Sequence, residues 1–283
     1  MPTLNIIGAG RVGQTLGRLW QLSGTFTVQD VLTRSEASAA AACTFIGAGT
    51  PVNSMRAMRS ADVWLLAVPD AAIRATAAAL AEVQATPEPG LAFHCSGAQS
   101  SESLAALSDL GWQTASAHCI LSFATAEAAV LQFKGTACAL EGDALAIATL
   151  REAYTGIEAH CFEVSSRNKV LYHAAAVFAT NFMPVLQQLA EDAWRATGVP
   201  EALLPNLRAS LLQNAVANIT RLGPVDALTG PAARGDIEAI QKQAQVVAQW
   251  DTQAGAAYEA LSGLALRMAK AKSDTVATKA NTH

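Results

Sequence analysis

The sequence predicts an α/β domain built on a doubly wound parallel sheet, residues 1–164, followed by an all-helical domain, residues 165–283. Three observations predict it. A G-x-G-x-x-G turn, Gly8-Ala9-Gly10-Arg11-Val12-Gly13, comes directly after the apolar run Leu4-Asn5-Ile6-Ile7. Short β-like runs then alternate with helical stretches as far as about Val164, the rhythm of parallel strands joined by crossover helices. Beyond Ser165 no strand pattern recurs and long helical segments take over.

Taken in order, Leu4–Ile7 is the first strand and Gln14 to Gln21 the body of the first helix. Phe26–Thr33 reads as the second strand, with Phe45 and Ile46 in a short third. Val63–Val68 is a buried fourth strand, Leu91–His94 a fifth and Thr114–His118 a sixth, while Thr136–Leu140 and His160–Val164 extend the edge. Ala71–Val83 and Ser101–Leu110 have helical composition. In the second domain Ser165 or Ser166 caps a helix running to about Ala196, with Gly198 as its stop and Pro184 bending it. Glu201–Leu222 is the next helix, ending at Gly223-Pro224. Gly230-Pro231 marks a loop, Asp236 caps a third helix through about Gln249, and a fourth spans Thr252–Lys270. The tail from Ala271 is small and polar and is expected to fray.

Composition excludes several function classes. At 51% hydrophobic and 15% charged, the chain has ample material for buried cores and none of the signature of disorder. A formal net charge of −4 supplies no basic field for nucleic acid or an anionic membrane surface. No apolar stretch nears the roughly 20 residues that span a bilayer. A strand that starts within four residues of the N-terminus leaves no room for a signal peptide, so a cytoplasmic location is expected. Cys43, Cys95, Cys119, Cys138 and Cys161 lie far apart, without a C-x-x-C pair or metal-ligand spacing. They are expected to be reduced thiols packed in the core.

The glycine turn points to a dinucleotide. The first glycine makes a tight turn, the second lets the backbone approach a pyrophosphate, and the third packs helix against strand. The following helix aims its free N–H groups and positive dipole end at the phosphates, so Gly8, Gly10, Arg11, Val12 and Gly13 are candidate cofactor ligands. Ribose recognition falls about 20 residues later, at the end of the second strand. There the chain reads Thr33-Arg34-Ser35, a guanidinium between hydroxyls that suits a 2′-phosphate and hence NADP. Asp30 is the competing acidic residue, which would favour NAD, but it falls inside the strand. Val68-Pro69 would form a rigid apolar wall on the nicotinamide side.

Chemistry-bearing side chains follow the later strands. Ser96 is a candidate hydrogen-bonder for substrate or carboxamide, and His94 and His118 read as structural hydrogen-bonders. On the first helix of the second domain Lys169 and His173 share a face, and at about 100° per residue Thr180 falls on the same stripe with Asn181 at its edge. A lysine beginning a polar stripe on an otherwise apolar helix either reaches solvent or serves as a proton donor, as His173 also could. Arg234, in Leu228-Thr229-Gly230-Pro231-Ala232-Ala233-Arg234-Gly235-Asp236, either clamps a substrate carboxylate or pairs with Asp236.

These residues together resemble a family of bacterial oxidoreductase-like proteins over nearly the full chain. That family joins a Rossmann domain to a helical domain of the 6-phosphogluconate dehydrogenase C-terminal type. The carrying segments are Gly8–Gly13, Val68-Pro69-Asp70, His94-Cys95-Ser96-Gly97-Ala98, Tyr172–Val177 with Asn181, and Leu228–Asp236. The wider superfamily includes 3-hydroxyacid dehydrogenases, ketopantoate reductases and pyrroline-5-carboxylate reductases. The resemblance implies NADP-linked hydride transfer on a small carboxylate-bearing oxo or imino compound, with a ketopantoate-type 2-oxo acid as its specific version, at a site between the domains. It also implies Lys169 as proton donor and a homodimer built through the helical domain. Where relatives often carry Asn four residues after that lysine, this chain carries His173. The expected function is therefore an NADP(H)-dependent oxidoreductase, with a non-catalytic NADPH-binding redox sensor as the alternative.

Overall fold

A computed structural model of the chain describes residues 1–83 and 90–280, with side chains as far as 274. It divides into two compact units, Met1–Ala179 and Thr180–His283. The first unit is built on an eight-stranded sheet: β1 (Thr3–Ile7), β2 (Thr27–Leu32), β3 (Thr50–Val52), β4 (Val63–Leu66), β5 (Leu91–His94), β6 (Gln113–Cys119), β7 (Ala137–Gly142) and β8 (His160–Glu163). Its spatial order is β3-β2-β1-β4-β5-β6-β7-β8. All pairings are parallel except β6 with β7, so β7 and β8 run against the rest. Helices α1 (Arg11–Ser23), α2 (Glu36–Ile46), α3 (Ile73–Val83), α4 (Ala105–Ser108), α5 (Ala126–Gln132), α6 (Ala144–Thr155) and α7 (Lys169–Ala176) complete this unit.

Alternation along the central strands makes two cores. Val63 and Leu65 face one side and join Trp20, Phe26, Phe93, Phe133 and Tyr154. Trp64 and Leu66 face the other and join Leu80, Leu104, Leu107 and Trp112. Trp20 has no exposed surface. Its indole N–H donates to Ala153 O at 3.0 Å, and its ring meets Tyr154 and Phe26 edge-on at 5.2 and 5.3 Å.

Several sequence expectations are corrected. Phe45 and Ile46 are not a strand; they close α2, whose alanine-rich body is bracketed by the Ser35 cap and by Gly47 at φ +81°. The third strand is Thr50–Val52, short and holding Pro51, as suits an edge. The helix expected over Ser101–Leu110 is a 3₁₀ turn, Ser101–Leu104, and a single α-turn. Between Lys169 and Ala196 the helix is not continuous. A π segment, Val177–Asn181, separates α7 from α8 (Phe182–Ala196). Pro184 has no N–H for the carbonyl four residues back, and the widened turn sits just ahead of it.

The second unit holds α8, α9 (Leu204–Leu222), α10 (Pro224–Ala227), α11 (Gly230–Arg234), α12 (Ile237–Trp250) and α13 (Thr252–Ala280). Asp236 caps α12 by accepting from Ala239 N at 3.1 Å. The tail from Ala271 continues α13 to Ala280 rather than fraying, with Lys272 Nζ 3.1 Å from the Asp226 carboxylate of α10. Glu191, nearly buried on α8, is held by Arg195 and Arg208. Among the described residues no helix is long and apolar enough to cross a membrane.

Replacing Trp20 with alanine empties the meeting point of α1, β5 and α6 and leaves Ala153 O without its donor. The expected loss is about 3–5 kcal/mol of stability, read as a lowered urea midpoint. A loss under about 1 kcal/mol would show that this core collapses around the gap.

Candidate active site

The strand order reverses between β1 and β4, and the loops leaving these two strands form the crevice where open α/β sheets bind ligands. Gly8 is at φ +84°, and a Cβ there would lie 2.6 Å from Ala67 O and 2.8 Å from Val68 Cγ1. A Cβ at Gly13 would lie 2.6 Å from Gly8 O. At the exposed Gly10 it would meet nothing within 4 Å. Two glycines thus close the turn against the sheet, and the middle one leaves it open. Behind Gly10, α1 begins with no side-chain cap and no acidic residue in its first turn, so its free N–H groups and dipole face that opening. These features fit a pyrophosphate.

A second cluster lies on one face of β5, β6 and β7, under α7. Lys169 is fully buried, and its Nζ donates to Ser96 O at 2.9 Å and to Ser116 Oγ. Ser116 donates onward to Glu141 Oε2 at 2.9 Å. The Glu141 carboxylate also accepts from Ser101 N at 2.9 Å, Ser101 Oγ at 2.8 Å and Ser166 Oγ at 2.8 Å. Burial works to raise its pKa, but the hydrogen bonds from Ser101, Ser166 and Ser116 outweigh it and hold the group below the usual carboxylate range. Burial lowers the Lys169 pKa, and the charge on Glu141 opposes that.

Two neighbouring histidines are kept neutral. His94 Nδ1 accepts from Ser96 N at 3.1 Å, which leaves Nε2 to donate to Ser100 O at 3.0 Å. Burial first, and then Lys169, pushes its pKa down to about 4. His118 Nδ1 lies 2.8 Å from Tyr172 Oη, and its pKa is also about 4, lowered by burial, His173 and Lys169. Its ring meets that of His173 edge-on at 5.7 Å. Both rings crowd Gly97, where a Cβ would lie 2.5 Å from His173 Nδ1 and 2.9 Å from His118 Nε2. His173 Nδ1 is buried without a hydrogen-bond partner among the described residues. His118 also lines a pocket of about 110 Å³ with Val12, Cys95, Cys119, Leu121 and Phe123. That pocket connects the glycine turn, through Val12, to the ends of β5 and β6.

Comparison with known proteins agrees with this layout. Residues 2–119 match the family model of a Rossmann-like domain, and residues 136–264 match that of a domain of unknown function, DUF2520. The N-terminal part is a Rossmann-like domain. No curated protein matches the chain. Among solved structures, protein TM1727 from Thermotoga maritima is 24% identical, with 95% of this chain and 99% of that one covered and a TM-score of 0.75. An imine reductase from Myxococcus stipitatus in complex with NADP+ is 18% identical, with 95% of each chain covered and a TM-score of 0.65. Pyrroline carboxylate reductase from Plasmodium falciparum with NADP bound is 12% identical, covers 95% and 98%, and scores 0.55. At these identities the likeness is one of fold.

Within the Rossmann-like domain, Gly8, Gly10, Arg11, Val12, Gly13, Val68 and Pro69 all stand at the switch point. Arg11 Nη1 reaches Phe123 O at 3.4 Å. Thr33, Arg34 and Ser35 form the exit of β2, where Thr33 Oγ1 donates to Ser35 O at 2.8 Å and Ser35 caps α2. Arg34 is exposed and unpaired among the described residues. The competing Asp30 is buried within β2 and tied to Arg59, whose backbone N–H donates to it at 2.7 Å and whose guanidinium pairs with it at 2.5 Å. Ser96 Oγ donates to Asp70 Oδ2 at 2.6 Å and accepts from Ala98 N and Gln99 N, so it knots the β4 and β5 exit loops.

Lys169 and His173 belong to this same unit, whereas Asn181 and Arg234 stand in the other. Asn181 Oδ1 accepts from Thr180 Oγ1 at 2.8 Å. The stripe that linked Thr180 and Asn181 to Lys169 assumed a regular helix, and the π segment changes its phase. Arg234 makes no ion pair with Asp236. Sequence reasoning passed over Ser116 and Glu141, although polar residues at every second position in Thr114-Ala115-Ser116-Ala117-His118 marked a polar strand face.

His94 makes stability pH-dependent. Its ordinary value is 6.5 and its folded value about 4, so as pH falls the unfolded chain takes up the proton first. Stability present above pH 6.5 is lost as pH falls toward 4, by about 3 kcal/mol for this residue. Urea midpoints between pH 7.5 and 4.5 should decline, and less steeply in His94→Gln. Equal slopes would show that His94 is not the group responsible.

Proposed function

We propose that the chain binds NADP(H) at the Gly8–Gly13 turn and transfers hydride to or from a small carboxylate-bearing oxo, hydroxy, imino or amino compound. The observation that carries the reading is the division of labour in the glycine turn. Gly8 and Gly13 are required by the protein's own backbone, whereas Gly10 answers to nothing in the protein. The free Arg34 guanidinium beside the Ser35 cap supports a 2′-phosphate, and the involvement of Asp30 with Arg59 removes the acidic competitor. The fold neighbours that carry NADP point the same way. When bound, the cofactor supplies the hydride.

The chain's own residues then hold the proton. Tyr172 and neutral His118 form a hydrogen-bonded pair, and His118 lies on the pocket wall. Lys169, the donor implied by the resemblance, has no exposed surface and two acceptors for its ammonium. We assign it a positioning role, fixing the Ser96 carbonyl and Ser116. Arg234, free of Asp236, is the proposed carboxylate ligand, and Asn181 a proposed partner for the reacting atom. Exposed apolar side chains on α8 and α9, Phe182, Val185, Leu211, Val216 and Ile219 among them, support a homodimer through the helical unit.

NADPH fluorescence titration tests the cofactor site. Gly10→Ala should weaken binding at least tenfold while leaving the thermal midpoint within about 1 °C. Gly8→Ala should lower the midpoint itself. Unchanged NADPH affinity in Gly10→Ala would remove the turn from the site. Absorbance assays with small 2-oxo acids, ketopantoate included, and cyclic imino acids then test turnover. Tyr172→Phe should cut kcat about 100-fold with KM little changed, and binding without turnover across the panel would favour the sensor reading. Light scattering should report twice the chain mass, and a monomer would overturn the dimer.

A further inference from the structure

Four of the five cysteines, scattered in sequence, converge at one end of the sheet. Cys119 on β6 is the register partner of Cys138 on β7, and Cys138 is the register partner of Cys161 on β8. All three belong to the core face opposite Ser116 and His118, as alternation along the strands requires. Ile120 N donates to Ala137 O at 2.8 Å, which makes that pair the hydrogen-bonded one and Cys119/Cys138 the non-hydrogen-bonded one. In such pairs the Cα atoms approach to about 4.5 Å. That lies within the span of about 4.4–6.8 Å that a disulfide bridges. The two sulfurs are already 3.7 Å apart.

The two ends of this row differ. Cys161 is only half-buried, on the outermost strand, with Arg151 Nη1 donating to its carbonyl at 3.3 Å. The neighbouring Cys138 thiol, helped by Thr155 and Arg151 and opposed by burial, lowers its pKa, while hydrogen bonds with Cys119 and Cys161, together with burial, raise that of Cys138. Cys119 and Cys95 form part of the 110 Å³ pocket wall. The Tyr154 hydroxyl is fully buried, and burial first, then the Cys95, Cys119 and Cys138 thiols, holds its pKa well above the usual phenol value. Among the described residues no group of histidine, cysteine or acidic side chains could hold a metal ion. The row is therefore left to thiol chemistry.

We propose that Cys161, Cys138 and Cys119 form an oxidation site for hydroperoxides, at which oxidation enters at Cys161 and ends as a Cys119–Cys138 disulfide beside the pocket. The Cys161 thiolate attacks the peroxide oxygen; an S–O bond forms, the O–O bond breaks, and the leaving oxygen departs as water or an alcohol after taking up a proton. Sulfur is oxidised by two electrons and the peroxide reduced by two. Cys138 then attacks the sulfenic sulfur, forming S–S and releasing water that carries away the thiol proton. Cys119 attacks Cys138 in turn as its thiol proton passes to solvent, and Cys161 leaves as thiolate with no net oxidation. Strands about 4.8 Å apart set attacking, central and leaving sulfurs in a row, and a low-pKa thiol is the better leaving group. A dithiol reductant reverses the whole sequence. None of this depends on the hydride-transfer reading.

The test uses the full chain with a few equivalents of hydrogen peroxide, maleimide thiol counting and non-reducing peptide mass spectrometry. Wild type should lose two thiols and yield a Cys119–Cys138 linkage that dithiothreitol removes. Cys161→Ser should slow its formation at least tenfold, Cys119→Ser should stop at a Cys138–Cys161 linkage, and Cys43→Ser should behave as wild type. Near-ultraviolet circular dichroism before oxidation confirms that each variant is folded. Retention of all thiols, oxidation of Cys161 to sulfinic acid without a bridge, or bridging at the wild-type rate in folded Cys161→Ser would each overturn the proposal.

Discussion

A lysine ammonium shut off from water must be surrounded by oxygen, and the first unit is arranged around that requirement at Lys169. Its Nζ takes the Ser96 carbonyl from the exit of β5 and the Ser116 hydroxyl from the middle of β6. The compensating charge, Glu141, stands one hydroxyl away on β7 and is itself held by Ser101 and Ser166. Removing either Lys169 or Glu141 would leave the other charge buried without its counter-charge, an effect of several kcal/mol. The network therefore binds three strands and the start of α7 into one body. It also fixes the Ser96 loop, whose hydroxyl in turn ties down Asp70 at the exit of β4.

The electrostatic consequence reaches the pocket. A buried cation beside two imidazoles makes a second positive charge costly, so Lys169 helps burial to keep His94 and His118 neutral. A neutral His118 can accept the Tyr172 phenol hydrogen at Nδ1, which a protonated ring could not. The lysine thus shapes the acid–base character of the pocket wall without being exposed to it. Gly97 is the steric counterpart, because only a residue without a Cβ lets His118 and His173 approach the β5 exit so closely.

Much of this was legible in the chain. The glycine turn, the positions of β1, β2, β4, β5 and β6, and the Asp236 cap follow from local patterns that tertiary contacts do not override. Phe45 and Ile46 misled because β-favouring side chains also serve to fill the last buried turn of a helix. The π segment was invisible because Pro184 announces a disturbance but not its form. The tail from Ala271 reads as a frayed end until Lys272 is seen beside Asp226. In the site, Lys169 and His173 stood out as polar residues on an apolar helix. Glu141 did not, since one acidic residue at the end of a strand is ordinarily a solvated one, and only the antiparallel register of β6 with β7 sets it opposite Ser116. The cysteines were hidden for the same reason: register, not spacing in sequence, brings them together.

The reversal of direction at β7 gives β6 its double character. Because β7 runs against β6, the start of one strand lies beside the end of the other, and residues distant in sequence meet at the edge where the pocket opens. On one face this pairing puts Glu141 behind Ser116 and Lys169; on the other it puts Cys138 against Cys119. Successive residues His118 and Cys119 then present both chemistries to the same pocket, one side chain from each face of the sheet. A wholly parallel sheet would have carried the start of β7 to the opposite edge, separating Cys138 from Cys119 by the length of the strand. The single antiparallel pairing, rather than any one motif, is what lets acid–base groups and thiols border one cavity.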